Sequence, residues 1–302
     1  MERNEELAMF RTALEIADLH PAAVRLPDDR QVIVGAMRFH YLDWGGSGTP
    51  ILLLHGGGIN AHTWDCVAVM LGERFRCIAL DQRGHGDSEW SPVVNYCNAA
   101  HLGDIEGFVE TIGLKRPIIV GQSMGGLNAI AYATRHSDQI RAMVIVDVAP
   151  EISGAGAERI RDFSSTPELD SPQEFLERAV KFNPLRNPAA LRRSLYYNLR
   201  ETPAGKWTFK HDQRRRTGDA MRSFAEDRVR LAADVAKIKC PTLVVRGALS
   251  DVLTDDAAAK FAQSLPDGRW VRVEKSGHNV QGDNPRALLD AMLGFFSEAG
   301  IS

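Results

Sequence analysis

Short runs of apolar residues recur along the chain, separated by segments of helix length. The runs are continuous rather than alternating, which is typical of strands that are buried on both faces of a sheet. We therefore expect an α/β protein with a mostly parallel sheet covered by helices on both sides. The predicted strands are residues 51–54, 77–80, 117–120, 142–146, 242–245 and 270–273. Residues 31–44 have no helix-length gap and predict an antiparallel pair ahead of the parallel set.

This alternation of predicted strands and helices stops between about residues 151 and 238, where no strong β run occurs. Two helix starts are recognisable there, Ser171 and Asn187, each followed at once by proline, the residue favoured at the first helical position. The segment holds 17 basic and 13 acidic residues, whereas the whole chain has a net charge of −3. We predict a core of residues 1–150 and 231–302 and a helical cap of residues 151–230.

Length and composition narrow the class of protein. A chain of 302 residues suits one large α/β domain or a core with an insertion. The chain is 44% hydrophobic and 25% charged, which excludes disordered and collagen-like classes. Its slight negative charge lacks the basic footprint of a nucleic-acid-binding domain, so we expect no nucleic-acid partner.

The cysteines and the N-terminus bear on metals and location. Cys66, Cys77, Cys97 and Cys240 form no C-x-x-C pair, so we expect buried thiols rather than a zinc site or a redox pair. The acidic N-terminus lacks the pattern of a signal peptide, and no apolar run reaches the roughly 18 residues that a membrane span needs. We expect a soluble cytoplasmic protein with no membrane partner; no sequence feature predicts its oligomeric state.

The sharpest motif is Gly-Gln-Ser-Met-Gly at residues 121–125, directly after a predicted strand and directly before a helical pattern. A G-x-S-x-G motif between strand and helix is a nucleophile elbow, in which a sharp turn pushes the serine outward. Glycines in this turn remove Cβ atoms where the chain bends closely on itself. Ser123 is therefore the candidate nucleophile.

A serine hydroxyl is a weak nucleophile at neutral pH and needs a base, which in turn needs an orienting carboxylate. His278, in a glycine-containing loop after the last predicted strand, is the candidate base; His136 and His211 are interpreted as surface residues. Asp251, after the strand at 242–245, is the favoured acid, and the order Ser, Asp, His agrees with elbow enzymes. Asp147, which ends the strand at 142–146, is the alternative acid.

A negatively charged tetrahedral intermediate also needs hydrogen-bond donors. His-Gly-Gly-Gly at residues 55–58 follows the first parallel strand, and we expect the backbone N–H groups of Gly57 and Met124 to supply those donors. The glycine run lacks the G-K-[ST] ending of a phosphate loop. The segment at 81–88, Asp-Gln-Arg-Gly-His-Gly-Asp-Ser, is interpreted as a structural turn, so His85 is not the base.

Together these motifs resemble the serine α/β-hydrolase superfamily, in particular its capped group of esterases, enol-lactonases, carbon–carbon bond hydrolases and haloperoxidases. The resemblance covers about residues 31–150 and 235–300. It implies a mostly parallel eight-stranded sheet flanked by helices, with the cap inserted after strand 6. It also implies that no metal or organic cofactor is needed.

The resemblance narrows the chemistry further. Related epoxide hydrolases and haloalkane dehalogenases carry Asp at the elbow, where this chain has Ser123, and carbon–carbon bond hydrolases typically carry Trp where it has Asn279. We expect a hydrolase that cleaves a small carboxylic ester or lactone through an acyl-serine intermediate. An amide or carbon–carbon bond hydrolase, or a ligand receptor with the same fold, are the alternatives.

Overall fold

The computed structural model describes residues 3–151, 154–216 and 218–301, with the side chains of 154, 155, 157, 216 and 218–225 left aside. The strands are β1 Asp28–Val34, β2 Met37–Asp43, β3 Pro50–Leu54, β4 Arg76–Leu80, β5 Ile118–Gln122, β6 Ala142–Val146, β7 Leu199–Glu201, β8 Trp207–Phe209, β9 Thr242–Gly247 and β10 Gly268–Val273. Eight of these strands form one sheet in the order β1-β2-β4-β3-β5-β6-β9-β10, and β7 and β8 form a separate two-stranded sheet.

The main sheet has the predicted architecture. β1 pairs with β2 and β2 with β4 in antiparallel fashion, and every other neighbouring pair in it is parallel. The strand order reverses at β3, which lies between β4 and β5. In open α/β sheets, ligands bind outside the carboxyl ends of the strands at such a reversal.

Helices cover both faces of the sheet and form two separate cores. The helices are α1 Arg3–Ile16, α2 Asp65–Leu71, α3 Asn98–Thr111, α4 Met124–His136, α5 Gly154–Ser164, α6 Pro172–Phe182, α7 Pro188–Asn198, α8 Gly218–Asp234, α9 Asp255–Ser264, α10 Val280–Asp283 and α11 Pro285–Glu298. On one face α3, α4, α8 and α9 contribute Phe108, Leu127, Leu231 and Phe261, among others. On the other, α1, α2 and α11 contribute residues such as Phe10, Val67 and Phe296. Within the described residues, none of these helices combines the length and the apolar character that crossing a membrane requires.

The segment between β6 and β9 adds no strand to the main sheet. Both predicted helix starts are confirmed: the Ser171 side chain accepts from the Glu174 N–H, and the Asn187 side chain accepts from the Ala189 N–H. A small core centred on Phe175 and Phe209 holds α6, α7, β7 and β8 together. The β7–β8 hairpin was not predicted because three-residue strands are too short to give a periodic pattern. The cap boundary predicted at residue 230 falls within α8, and the division of the chain stays a prediction.

The N-terminal helix α1 is a further element that the sequence pattern did not predict. Its Phe10 and Leu14 are buried. The Arg193 guanidinium of α7 lies 4.7 Å from the Phe10 ring centroid, and the Tyr197 hydroxyl donates to Glu6 at 2.7 Å. Helix α1 therefore packs on both the core and α7.

The turn at 81–88 has the structural role predicted for it. The Asp81 carboxylate accepts hydrogen bonds from the backbone N–H groups of Ala61 and Asp87 and contacts His40 Nδ1 at 2.8 Å. Arg83 forms a buried two-pronged ion pair with Asp104. These bonds tie the loops after β3 and β4 to the sheet and to α3.

His40 lies between two carboxylates, with Nδ1 on Asp81 and Nε2 3.1 Å from Asp29. Burial favours the neutral ring, but the two carboxylate hydrogen bonds outweigh it and raise the pKa of His40 to about 9. A histidine whose pKa is raised by folding stabilises the folded protein. This stabilisation is fully present at pH values below the pKa of the unfolded state, about 6.5. This stabilisation is lost as the pH rises from there through about 9.

We therefore expect the His40→Gln variant to be less stable than the parent at pH 6, with the difference shrinking by about 2–3 kcal/mol by pH 9.5. Urea unfolding of both proteins at pH 6, 7.5 and 9.5 measures this difference in the free energy of unfolding. Exposed His20→Gln is the control and should leave the pH profile unchanged. Parallel profiles for His40→Gln and the parent would contradict this assignment.

Candidate active site

A cavity of about 280 Å³ lies at the carboxyl ends of β3, β5 and β10, where the order of the sheet reverses. Loops of the main sheet and the segment between β6 and β9 line it together. From the core come Gly57, Ser123 and His278, and from the segment between β6 and β9 come Phe163, Phe182 and Leu191. The structure thus brings the predicted nucleophile, the predicted base and the glycine-rich loop to one enclosed space.

Ser123 stands at the turn between β5 and α4 in a strained backbone conformation. Its φ and ψ are 53° and −117°, in a region that non-glycine residues rarely occupy and that costs about 1–3 kcal/mol. The turn is held because the Ser123 N–H donates to the Val146 carbonyl and the Leu127 N–H donates to the Ser123 carbonyl, each at 3.0 Å. Such strain at a partly buried serine between strand and helix is typical of the nucleophile elbow.

The two glycines of the elbow are required by close backbone approach. A Cβ on Gly121 would lie 2.3 Å from the Gly125 carbonyl oxygen, and a Cβ on Gly125 would lie 2.4 Å from the Leu54 carbonyl oxygen. Because these obstacles are backbone atoms, they cannot move aside as a flexible side chain would. The G-x-S-x-G spacing therefore has a direct steric reason.

His278 is oriented by Asp147. Its Nδ1 lies 2.8 Å from Asp147 Oδ2, and the Asp147 side chain is fully buried at the end of β6. Asp147 Oδ1 accepts from the Gly247 N–H at 2.9 Å, and Oδ2 also accepts from the Ser250 hydroxyl. Since an ionised carboxylate only accepts hydrogen bonds, Nδ1 of His278 carries the proton and Nε2 is left free as a base.

Asp251, the acid favoured from the sequence, does not contact His278 in the part of the chain that is described. Its half-exposed carboxylate pairs instead with Arg159 Nε of α5 at 2.9 Å. The expected pairing of Asp251 with His278 is therefore corrected to the alternative, Asp147. The physical reason is that the loop after β9 places the Ser250 hydroxyl on Asp147, whereas Asp251, the next residue, points toward α5.

Two residues were predicted to supply backbone donors: Met124, which follows Ser123 in the chain, and Gly57, which lines the same cavity as Ser123. Met124 is the first residue of α4, so its N–H has no acceptor within the helix and sits at the positive end of the helix dipole. Gly57 lines the cavity, and a Cβ there would lie 3.3 Å from Arg215 Nη1. A guanidinium thus borders the loop in which negative charge would develop.

Gln122 and His55 support these loops, and the sequence pattern did not single them out. Gln122 Nε2 donates to the His278 carbonyl at 3.0 Å. His55 Nδ1 lies 2.7 Å from the Gly56 carbonyl, while its Nε2 accepts from the Gln82 N–H at 3.0 Å. One ring nitrogen donates and the other accepts, so His55 is neutral, in agreement with the lowering of its pKa by burial. It positions the glycine loop.

The other histidines are poor candidates for the base. Burial lowers the pKa of His85 well below its usual value, and it lowers the pKa of His101 to about 3, so both are fixed as neutral rings. His136 is partly buried against Glu106. His211, interpreted from the sequence as a surface residue, is buried and contacts the Ser164 carbonyl, and that interpretation was wrong.

One cluster of metal-ligand type occurs among the described residues: His40, Asp81 and Asp87, with ligand atoms within 4.8 Å of one another. Both ring nitrogens of His40 already bond carboxylates, and a raised pKa keeps the ring protonated. A protonated imidazole cannot donate a lone pair to a metal. We therefore assign the cluster to the structural network around the 81–88 turn.

A second cavity, of about 510 Å³, opens between α1, α6, α7 and the 81–88 turn. It is larger, but its lining residues include polar and aromatic side chains such as His62, Tyr196 and Lys210 and neither serine nor cysteine. The candidate active site is therefore the smaller cavity that holds Ser123.

Comparison with known proteins agrees with this fold. Residues 49–285 match the family model of the alpha/beta hydrolase fold. The esterase Rv0045c of Mycobacterium tuberculosis is 36% identical over 277 residues, which are 89% of each chain. Its crystal structure superposes with a TM-score of 0.78 at 33% identity, covering 98% of this chain and 99% of that one.

A second relative is 2-(acetamidomethylene)succinate hydrolase of Mesorhizobium japonicum, 28% identical over 83% of this chain and 88% of that one. A crystal structure of E-2-(acetamidomethylene)succinate hydrolase gives a TM-score of 0.80 at 26% identity, covering 90% of this chain and 99% of that one. The chain belongs to the α/β-hydrolase family, and it is a hydrolase.

Proposed function

We propose that this protein cleaves a small carboxylic ester or lactone through an acyl-serine intermediate on Ser123. The observation that carries the proposal is the strained elbow serine in one cavity with His278, whose Nδ1 is held by the buried Asp147. A serine and a histidine in one cavity, with a buried carboxylate on the histidine, are the parts that acyl transfer requires.

In the first step, Nε2 of His278 accepts the proton of Ser123 Oγ as the oxygen attacks the acyl carbon. Asp147 stabilises the imidazolium that forms and keeps the ring in one tautomer. His278 then gives the proton to the leaving alkoxide, which departs as an alcohol. Water deprotonated by the same nitrogen attacks the acyl-serine and releases the acid, so Ser123 recovers its proton.

The negative charge of the tetrahedral intermediate falls on the former carbonyl oxygen. The N–H groups of Gly57 and Met124 are the proposed donors to it, and each donor of this kind contributes about 3–4 kcal/mol in enzymes where one was removed. Arg215, close to Gly57, adds positive potential at the same place. None of these steps uses a metal or an organic cofactor.

The choice of an ester over other acyl compounds rests on the relative of 36% identity that is named an esterase. A second candidate is amide cleavage, favoured by the relative named for hydrolysis of an acetamidomethylene succinate. Both reactions would use the same serine, and the leaving group distinguishes them.

The experiment that tests the proposal is a steady-state assay of the purified full chain on matched 4-nitrophenyl esters, lactones, 4-nitroanilides and ring-cleavage diketones. We expect multiple turnovers on the 4-nitrophenyl esters or lactones, at a kcat/KM at least about 10²-fold above that for the anilides, because an aryloxide leaves more readily than an anilide. Efficient turnover of anilides or diketones alone would contradict the assignment to esters.

A further inference from the structure

Arg186, in the loop between α6 and α7, is a cationic side chain in the wall of the cavity that holds Ser123. Its guanidinium packs against the backbone of α10, since a Cβ on Gly282 would lie 2.8 Å from Arg186 Nη2. The side chain is thus held in place beside the loop that carries His278. Neither step of the proposed mechanism uses it.

The buried Nε–H of Arg186 has no hydrogen-bond partner in the described part of the chain. Among the described residues, the nearby arginines Arg159 and Arg193 form ion pairs with Asp251 and Asp65, whereas none is formed by Arg186. Burial lowers the pKa of Arg186, but an arginine side chain still carries its charge at neutral pH. Arg186 as a whole is partly buried, and a charge removed from water without a hydrogen-bond acceptor is destabilising unless a ligand pairs with it.

Asp283 is the acidic group whose charge acts most strongly on Arg186, but no ion pair within 4.0 Å joins the two side chains in the described part of the chain. Asp283 also lines the cavity, but Oδ1 accepts from Asn183 Nδ2 at 3.0 Å and Oδ2 accepts from the Gly277 N–H at 2.9 Å. Burial raises the pKa of the Asp283 carboxyl and the Arg186 charge offsets this only in part, so Asp283 is a weak counter-ion. Its hydrogen bonds hold the His278 loop instead.

The cavity wall contains a second arginine, which behaves differently. Arg159 pairs with Asp251, and its guanidinium carbon lies 4.8 Å from the Phe182 ring centroid. Its charge is therefore already compensated by the protein. Of these two arginines in the wall, Arg186 is the one without an ion pair to a described residue.

We propose that Arg186 binds a carboxylate on the substrate, so that the enzyme prefers esters whose acyl group ends in a second, ionised carboxyl group. The guanidinium presents paired N–H donors that match the two oxygens of a carboxylate. Hydrophobic residues Phe163, Phe182 and Leu191 form the rest of the wall and suit the methylene chain between the two ends. This inference rests on the proposed function of Ser123.

The test compares 4-nitrophenyl hydrogen adipate with its methyl-capped, neutral counterpart, methyl 4-nitrophenyl adipate. For the parent we expect a higher kcat/KM on the anionic ester. In Arg186→Gln the ratio of the two kcat/KM values should fall about thirtyfold or more, since a buried charge pair loses one partner. Arg186→Lys should recover part of the ratio. Exposed Arg192→Gln, which removes the same charge outside this cavity, should leave the ratio unchanged.

Binding of adipate to the Ser123→Ala protein, measured by calorimetry, tests Arg186 without any turnover. We expect adipate to bind at least about tenfold more weakly when Arg186→Gln is added. If no ester is turned over but this difference is found, the proposed reaction fails and the carboxylate site stands. If Arg186→Gln leaves both the kinetic ratio and adipate binding unchanged, the carboxylate site is overturned.

Discussion

Asp147→Asn should lower kcat about 10⁴-fold, the loss seen when the triad carboxylate of a serine protease becomes an amide. The side chain of asparagine fills the same space but presents an N–H group where His278 Nδ1 now donates, so the ring would turn to its other tautomer. Nε2 of His278 would then carry the proton and could not accept one from Ser123. KM should change much less than kcat, because Asp147 lies behind His278 and away from the substrate.

Asp251→Asn is the matched control, since it makes the same chemical change in the loop after β9. Its carboxylate is half-exposed and paired with Arg159, and such an ion pair contributes about 1 kcal/mol or less, so kcat should change by less than about threefold. Circular dichroism and thermal unfolding of both variants check that they fold. A large loss of kcat in Asp251→Asn together with a small one in Asp147→Asn would restore the original assignment.

Ser123→Ala should lower kcat by about 10⁴- to 10⁶-fold, because no other group in the proposed mechanism can form the acyl intermediate. The protein should still fold, since alanine keeps the Cβ that the turn already accommodates. Steady-state hydrolysis of a 4-nitrophenyl ester by the pure variant measures the loss.

Ser194 provides the control, because it lines the same cavity and is also a serine. The mechanism gives Ser194 no part, so we expect Ser194→Ala to keep kcat within about threefold of the parent, as for most substitutions away from the reacting atoms. Equal losses in Ser123→Ala and Ser194→Ala would remove Ser123 from its proposed position.

The sequence predicted the main sheet closely because long apolar strands carry a strong local signal. Each of the six parallel strands lies within two residues of its predicted bounds, as at Ile118–Gln122. The nucleophile elbow was equally predictable, because the G-x-S-x-G motif is local: a Cβ at 121 is excluded by the turn itself and a Cβ at 125 by the neighbouring strand β3. Helix α1 and the β7–β8 hairpin were missed, since they are fixed by packing against distant residues such as Arg193 and Leu169.

The carboxylate partner of His278 shows where a sequence stops being informative. Asp147 follows β6 directly and Asp251 follows the adjacent strand β9, so both are expected at the same edge of the sheet. The choice between them depends on contacts across strands, namely the Gly247 N–H and the Ser250 hydroxyl on Asp147 and Arg159 on Asp251. Each of these contacts joins two residues about 100 positions apart in the chain, and no local pattern links them.

The proposed acyl-serine intermediate can be observed directly. The protein is mixed with an excess of 4-nitrophenyl ester, quenched in acid within its first turnovers, digested and analysed by mass spectrometry. We predict that the peptide containing Ser123 gains the mass of the acyl group, and that the Ser123→Ala protein gains none at this peptide. Turnover with the acyl group on another residue, or with no acylated peptide when release of the acid is slowed at low pH, would contradict the account.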